Sequence, residues 1–295
     1  MAKPNTVIDN LPAMPKASTL HPVLADDLSR LTTISDDFTF DAMQPDGYAS
    51  GSLPAVGANV PDAGIRSLSP GKNPTLGRDL TVTATYDNRF GTSGPRPVFD
   101  GKGWNTAGKA FIIRVSGIAD NRVMEPTLEG FRSVLEMVYY KAASSIGNRS
   151  PFFAGLNVTP NFGGFNDAGS GQGRVSPIGN TTMAIAGAFN PGAWRALATH
   201  RIYNQTDQLV TVRNWLDGVP LGNFTVSSTD MQASNNSNAR AYIGSGLQGP
   251  FNGSVARVRR VFTGPLASGS QAQVDAILDR IVAADYAWKM PRLLA

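Results

Sequence analysis

The eleven residues Val-Thr-Val-Arg-Asn-Trp-Leu-Asp-Gly-Val-Pro, at positions 210–220, decide the fold. β-branched and aromatic residues precede Asp217-Gly218, and a second β-rich run follows it. Asp-Gly between two such runs is the sequence of a two-residue hairpin turn, because both central positions of that turn need a positive φ. Strands joined by so short a turn pair antiparallel. The stretch therefore predicts an antiparallel sheet.

Further runs extend this sheet in both directions, because they alternate or are rich in β-branched residues. They are 79–86, 110–116, 133–140, 181–186, 194–203, 209–216, 219–226, 239–243 and 253–262. The run 133–140 also fits helical spacing, but its β-branched and aromatic residues favour a strand. Gly, Asn, Ser and Pro dominate 147–180 and predict a long loop. A capping-box pattern at Ser270–Gln273, followed by apolar residues at helical spacing, predicts one amphipathic helix packed on the sheet.

The first 75 residues have a different composition. Nine prolines recur in them and exclude long helices, with only 22–31 left for a short one. Apolar residues such as Val7, Leu24 and Phe38 are nevertheless frequent, and a free linker has little use for them. The sequence predicts an extended arm that packs on its own domain or on a neighbouring subunit, and its length favours the neighbour.

Three parts follow from these patterns. Residues 1–75 form an extended N-terminal arm, residues 76–265 a β-sandwich domain, and residues 266–295 a C-terminal helix and tail packed on the sandwich. At 295 residues with 41% hydrophobic content, the chain is long enough for one large domain with appendages.

The composition excludes several classes of function. The chain has no cysteine, so disulfides, thiolate metal sites and cysteine nucleophiles are ruled out. The N-terminus lacks the apolar run of a signal peptide, and no stretch is long and apolar enough for a membrane span. We therefore expect synthesis in a cytoplasm, no membrane insertion, and export only inside a larger particle.

The net charge of +4 is unevenly distributed. The arm holds five basic and eight acidic residues, which leaves a basic body and suits contact between copies. The densest basic spot, Arg257, Arg259 and Arg260, lies in a strand-like run without interleaved aromatic residues. It predicts a solvated strand face, and no nucleic-acid partner is expected.

Four pieces of the last third resemble the concanavalin A-like lectin/glucanase superfamily, in its laminin-G-like and pentraxin-like branch. In order they are Trp-Arg-Ala-Leu-Ala-Thr-His at 194–200, the hairpin at 210–220, Ala-Tyr-Ile-Gly-Ser-Gly at 241–246, and a closing strand at 251–262. The resemblance covers residues 190–285 and implies an all-β fold, an antiparallel jelly-roll sandwich. The family often has Asp-Glu where this chain has Ala256 and Arg257, so its acidic surface chemistry does not transfer.

Seven residues within the resemblance are expected to determine the fold: Trp194, Trp215, Asp217, Gly218, Gly244, Phe251 and Gly253. The two tryptophans are interpreted as plugs between the sheets rather than sugar-stacking platforms, since both lie in apolar strand runs. Regular alternation puts Trp215 on the face of Thr211 and Arg213. A bulge at Asn214, or a face covered by the C-terminal helix, would allow it to be buried.

No catalytic residues are predicted. Glucanases of this fold use carboxylates spaced Glu-x-Asp-x-x-Glu, but this chain has only Glu125, Glu129 and Glu136, and none has that spacing. Of the two histidines, His21 lies in the arm and His200 ends a strand, where a structural histidine with its hydrogen bonds satisfied is expected. No Gly-x-Ser-x-Gly elbow is present. The chain is predicted not to be an enzyme.

No metal or cofactor site is predicted either, with one ion left open. Laminin-G-like domains often bind calcium, and the resemblance makes Asn166-Asp167 or Asp87-Asn88 candidate ligands. Isolated pairs of this kind are also common in turns, which is the preferred interpretation.

Together these features predict a non-enzymatic structural component of a bacteriophage virion: a decoration, tail-associated or adsorption protein. Its lectin-like domain would face outward and its arm would serve assembly. The expected partners are other virion proteins, copies of itself through the arm, and a host-surface glycan, whose binding residues the sequence does not indicate. The alternative is a glycan-binding module or glycan-active enzyme of bacterial origin. A structural collar or capsid component without a ligand is the third interpretation.

Overall fold

A computed structural model describes about half of the chain. The described residues are 34–48, 50–53, 68, 80–82, 90–93, 96–100, 111–115, 132–142, 152–155, 165–167, 172–178, 181–204, 207, 209–227, 240–243, 245–246, 249–250, 253–263 and 271–294.

Seventeen strands and one long helix are formed by these residues. The strands are β1 Ile34–Asp41, β2 Leu80–Val82, β3 Phe90–Ser93, β4 Arg96–Asp100, β5 Phe111–Val115, β6 Arg132–Ala142, β7 Phe152–Gly155, β8 Phe165–Asp167, β9 Gln172–Ile178, β10 Thr181–Ala186, β11 Trp194–Asn204, β12 Leu209–Leu216, β13 Val219–Ser227, β14 Arg240–Ile243, β15 Ser245–Gly246, β16 Gly249–Pro250 and β17 Gly253–Thr263. The helix is α1 Gln271–Leu294, and a 3-10 turn spans Pro45–Gly47.

The largest sheet has eight strands in the order β13-β12-β11-β6-β17-β4-β3, with β1 also paired to β17. A four-stranded sheet has the order β2-β5-β14-β7, a three-stranded one β10-β9-β8, and β15 pairs with β16. Every pairing is antiparallel. The chain is the antiparallel β-sandwich with a C-terminal helix that the sequence predicts.

The β12–β13 hairpin turns at Asp217-Gly218, where both residues have positive φ, 52° and 80°. Strand β12 keeps an unbroken register with β11 from Leu209 to Leu216. The irregularity lies on β13, because Asn214 pairs with Gly222 while Trp215 pairs with Pro220. Leu221 is therefore the extra residue of a bulge on β13, and β12 itself has none at Asn214.

The helix continues beyond the predicted stretch. The sequence predicts periodicity to Val282 and then a tail with Trp288, but α1 runs on to Leu294 with Pro291 in its last turns. Proline removes one backbone hydrogen bond there. Buried Lys289, Met290 and Leu293 hold this part against the sheet, so packing decides its structure.

Four strands lie where a loop or an extended arm was expected, and one of them is β7, within the predicted 147–180 loop. Strand β1 belongs to the predicted arm and occupies the proline-free interval between Pro22 and Pro45. Strands β8 and β9 lie in the predicted 147–180 loop. Ile178 pairs with Thr181 across the two residues Gly179-Asn180, a hairpin signal that the glycine-rich composition obscured.

Candidate functional site

One face of the eight-stranded sheet is covered by α1. Met137, Ala198 and Trp215 are opposite one another across β6, β11 and β12, so their side chains share this face. With Leu135 they form a buried cluster against the helix, which contributes four side chains: Val274, Leu278, Ile281 and Val282. We call this set the apolar cluster.

The Trp215 side chain is fully buried under the helix. Its Nε1 donates to Asp279 Oδ1 at 2.8 Å. Arg213 lies on the same face and donates to the Asp279 carboxylate from Nε and Nη2 at 2.7–3.0 Å, while its guanidinium lies 5.4 Å from the Trp215 ring centre. The covering helix is thus what allows Trp215 and Arg213 to share a face.

Under the second half of the helix, five polar side chains meet where β1, β6, β17 and α1 converge. We call them the polar cluster: Asp41, Tyr139, Arg257, Asp285 and Lys289. All are at most 1% exposed. Arg257 donates to Asp285 at 2.8 Å and lies 3.4 Å from Asp41, Lys289 donates to Asp41 at 2.9 Å, and the Tyr139 hydroxyl donates to Asp285 at 2.7 Å. Two carboxylates and two cations therefore balance each other.

Neighbouring charges keep Asp41 and Arg257 of this cluster ionised, whereas burial lowers the pKa of Lys289. Burial alone would raise the pKa of the Asp41 carboxyl, but the charges of Lys289 and Arg257, with hydrogen bonds from Lys289 and the Met43 amide, hold the pKa below its usual value. Burial would lower the pKa of Arg257, and Asp285 and Asp41 raise it instead. Burial, reinforced by Asp285, raises the pKa of Tyr139 well above its usual value, so the phenol stays protonated as a donor.

The prediction of a solvated strand face is therefore wrong for Arg257 and Arg259, and the Arg260 side chain lies outside the described part of the structure. Arg257 and Arg259 are both fully buried. Arg257 has ion-pair partners on β1 and on α1, and its guanidinium also lies 5.1 Å from the Trp288 ring centre. This strand face was interpreted as exposed because the sequence predicts a helix packed on the sheet but does not show which strands the helix covers.

An ion pair and backbone hydrogen bonds hold the Asp217-Gly218 turn against β11. The Asp217 carboxylate forms an ion pair with Arg195 and accepts the Ala196 amide at 2.9 Å, while the Asp217 amide donates to the Ala196 carbonyl at 2.8 Å. A Cβ on Gly218 would lie 3.0–3.1 Å from Tyr286 on the helix. The turn needs glycine both for its φ and for this close approach.

The opposite face of the sheet contains a separate buried ion pair. Glu136 and Arg201 are paired there, and Thr199 lies between Glu136 on β6 and Asn214 on β12 in the cross-strand register. Among the described residues, nothing accepts from Arg201 Nε or Nη1 or donates to Asn214 Oδ1. Such buried polar atoms are costly, and ordered water is the usual partner.

His200 is buried on the helix-covered face, but the expectation that its hydrogen bonds are satisfied does not hold. Its Nε2 has no hydrogen-bond partner in the described part of the chain. Burial lowers its pKa to about 4; Asp275 opposes this shift, and Arg201 and Arg213 add to it. The imidazole is neutral at pH 7, and no described hydroxyl donates to that nitrogen.

The other predicted site residues are only partly described. Trp194 is buried among Tyr139, Ala196, Ala256, Met290 and Leu293. Both tryptophans are thus plugs between sheet and helix rather than between two sheets. Gly253 begins β17, and Asn166 and Asp167 lie on β8. Outside the described residues lie Gly244, Phe251, Glu125, Glu129, His21 and the Asp87-Asn88 pair.

The described ranges contain neither a metal-binding group of side chains nor a membrane-spanning helix. No three His, Asp or Glu side chains there are grouped so that they could hold a metal ion. Among the same residues, no helix has the length and apolar character needed to cross a membrane.

Comparison with known proteins gives only slight likenesses. No family model matches the chain, and no curated protein matches it. Similar solved structures include a sialidase of Trypanosoma rangeli, with 13% identity over 91% of this chain and 38% of that one at a TM-score of 0.47. Domain 4 of the arabinanase AbnA from Geobacillus stearothermophilus, in complex with arabinotriose, has 11% identity over 87% of this chain and 99% of that one, at a TM-score of 0.43.

A third is the CBM40 of the Ruminococcus gnavus IT-sialidase bound to α2,3-sialyllactose, with 15% identity over 54% of this chain and 85% of that one at 0.36. At these scores the likenesses assign neither a ligand nor an activity to this chain.

Proposed function

We propose that this chain is a non-enzymatic binding module of the β-sandwich class and that its ligand is a glycan. One observation carries the non-enzymatic part. Every carboxylate whose side chain the structure describes as buried or half-buried is already paired with a cation, namely Asp41, Glu136, Asp217, Asp275, Asp279 and Asp285. Glycoside hydrolysis needs two carboxyl groups facing one sugar, one of them with a raised pKa as the acid. Paired carboxylates are poor candidates for that role.

The glycan part follows from the resemblance of residues 190–285 to the lectin/glucanase superfamily. Lectin-like domains of that superfamily bind sugars on a rigid β-sandwich. The clusters described above supply rigidity, because they fasten helix, turn and sheet to one another.

The proposal is tested with the whole chain on a glycan panel that includes α2,3-sialyllactose, α2,6-sialyllactose and arabinotriose. We expect saturable binding to one glycan class and no release of reducing ends. Saturable binding to no glycan would refute the ligand class. Release of reducing ends that is lost on Glu125→Gln, Glu129→Gln or Glu136→Gln would refute the non-enzymatic assignment.

A second candidate is the structural component of a bacteriophage virion, and the anchoring of the arm favours it. Strand β1 pairs with β17, and Asp41 at its end forms an ion pair with Lys289 in the polar cluster. Residues 1–33 are therefore attached to a strand that is anchored in the sheet. In this role the arm binds neighbouring virion proteins while the sandwich faces outward.

Deletion of 1–33 tests this role, because it leaves β1 in place. We expect the truncated chain to fold with an unchanged melting temperature and to fail to enter the particle. Normal incorporation would exclude assembly through this segment. Deletion of 1–60 is the matched comparison, since it also removes β1 and should lower the melting temperature.

A further inference from the structure

Strand β13 lies at one end of the eight-stranded sheet and has an open outer edge. It pairs with β12 on one side, and none of the strands that the structure describes pairs with it on the other. Phe224 and Val226 are half-buried, and every other residue of the strand is exposed. The main-chain N–H and C=O groups along such an edge are a template on which another strand can pair.

The strand register shows which residues of β13 turn their main-chain groups to the open edge. The Asp217 amide donates to the Ala196 carbonyl on β11. Main-chain groups of a strand point alternately to its two neighbours, so the even-numbered residues of β12 bond to β13. Residues 210–214 pair with residues 222–226, even positions with even ones. The odd-numbered residues of this part of β13 therefore point their N–H and C=O groups outward, and they are Asn223, Thr225 and Ser227.

The two halves of β13 differ in how their edge is protected against pairing. Residues 219–222 contain Pro220, which has no N–H to donate, and the bulge at Leu221. Residues 223–227, Asn-Phe-Thr-Val-Ser, contain no proline and no charged residue, and their register with β12 is regular. The features that usually protect an edge strand are therefore missing from residues 223–227, which we call the open segment.

The open segment is complementary to an antiparallel copy of itself. If Thr225 lies opposite the same residue of the copy, Phe224 lies opposite Val226 and Asn223 lies opposite Ser227. Phe224 and Val226 share the sheet face away from α1, so aromatic and β-branched side chains pair on that face. Thr–Thr and Asn–Ser pairs form on the other face, and like charges do not meet because the segment has none. Apolar side chains thus meet apolar ones, and polar side chains meet polar ones.

We propose that β13 pairs antiparallel with β13 of a second copy of this chain, centred on Thr225. A two-fold axis at Thr225 makes the contact the same on both copies and joins the two eight-stranded sheets into one. Few residues on each side make the contact, and a small interface forms weak complexes. We therefore expect dimers that form with increasing concentration. The inference does not depend on a glycan ligand.

Charge variants of Thr225 test the proposed register. Thr225→Lys places two lysines opposite each other in the dimer, and Thr225→Asp places two aspartates there. Each variant alone should therefore dimerise at least about tenfold more weakly than the parent. An equal mixture of the two should recover the dimer, because lysine then lies opposite aspartate. Thr225 is exposed, so the folded monomer accommodates either change, and light scattering over a range of concentrations measures the mass.

Val219→Lys is the matched control, since Val219 is exposed on the same strand but lies outside the open segment. It should leave the dimer unchanged. A parent protein that remains at 31.2 kDa from micromolar to millimolar concentration overturns the proposal. A dimer that survives Thr225→Lys, or one that the mixture of charge variants fails to restore, overturns it as well. Loss of the dimer in Val219→Lys would place the contact elsewhere on the strand and contradict the register.

Discussion

The two halves of α1 are buried to a similar degree by opposite means. From Val274 to Val282 the helix packs aliphatic side chains on Trp215 and its neighbours. From Asp285 to Lys289 it buries charged groups among Asp41, Arg257 and Tyr139. Apolar burial is strongly favourable but has no direction. Buried ion pairs contribute little net stability, since desolvation opposes them. Removal of either partner, however, leaves an uncompensated buried charge and is strongly destabilising. The first half stabilises the helix on the sheet, and the second specifies its position and the strand beside it.

Removal of Trp215 from the apolar half of α1 should cause the largest loss of stability. Trp215→Ala removes a fully buried side chain from the apolar cluster and should lower the free energy of unfolding by about 3–5 kcal/mol. Chemical denaturation measures it, with Trp215→Phe as control. The phenylalanine keeps most of the packing and loses the hydrogen bond to Asp279, at a cost of about 1 kcal/mol. An unchanged midpoint for Trp215→Ala, with loss of glycan binding, would instead support a sugar-stacking tryptophan.

His200, beside the apolar half, should make stability depend on pH. The pKa of His200 is about 4 in the folded chain, and the ordinary value of 6.5 applies to the unfolded chain. Between these pH values the unfolded chain therefore binds a proton that the folded chain does not. Stability is therefore complete above pH 6.5 and falls as the pH decreases to about 4, by on the order of 3 kcal/mol. Denaturation at pH 7.5 and pH 4.5 measures the loss, and His200→Gln should remove most of it. An equal loss in that variant would mean that other groups titrate.

The charged half is tested by Asp41→Asn. This change keeps the shape but leaves Lys289 and Arg257 undercompensated, and should cost about 2–3 kcal/mol at pH 7. The pKa of Asp41 is lowered on folding, so its contribution is present above its ordinary value of 3.8 and is lost as the pH falls through the folded value. The variant should therefore lose less stability than the parent below pH 4. Asp46→Asn, at an exposed position, is the control; equal effects of the two changes would contradict a role for the ion pairs.

The smallest effect isolates the contact between helix and turn. Gly218 and Gly192 have nearly the same φ, 80° and 81°, but a Cβ at 218 meets Tyr286 while a Cβ at 192 meets nothing within 4 Å. Both Gly→Ala changes should cost about 1–2 kcal/mol of backbone strain. Gly218→Ala should cost more, by an amount set by how far Tyr286 can move. Thermal melting compares the two variants. Equal midpoints would mean that the Tyr286 side chain moves away from the new Cβ without a measurable loss of stability. Gly218→Val should be worse still, since a β-branched residue resists positive φ.

Local sequence patterns predicted strands and turns well where pairing partners are adjacent in the chain. Strands β10 and β12 begin and end where the alternation predicts, and the Asp217-Gly218 hairpin has the predicted positive φ values. Strand β1 was missed because prolines on either side of it suggested an extended arm, although no proline interrupts 23–44. The last turns of α1 were missed because Asp285 and Lys289 interrupt the apolar period that predicts a buried helix face.

The sequence by itself determined the class of fold, the turn that organises the sheet, and the presence of one C-terminal helix. These depend on φ preferences and on periodicity over a few residues, which are local properties. Tertiary structure alone decided that Arg257 is buried, that Trp215 lies under the helix, and that Asp41 is joined to Lys289, 248 positions away. The burial of a charge depends on partners that only the fold brings together, because the energy of an ion pair depends on the atoms around it and not on its neighbours in the chain.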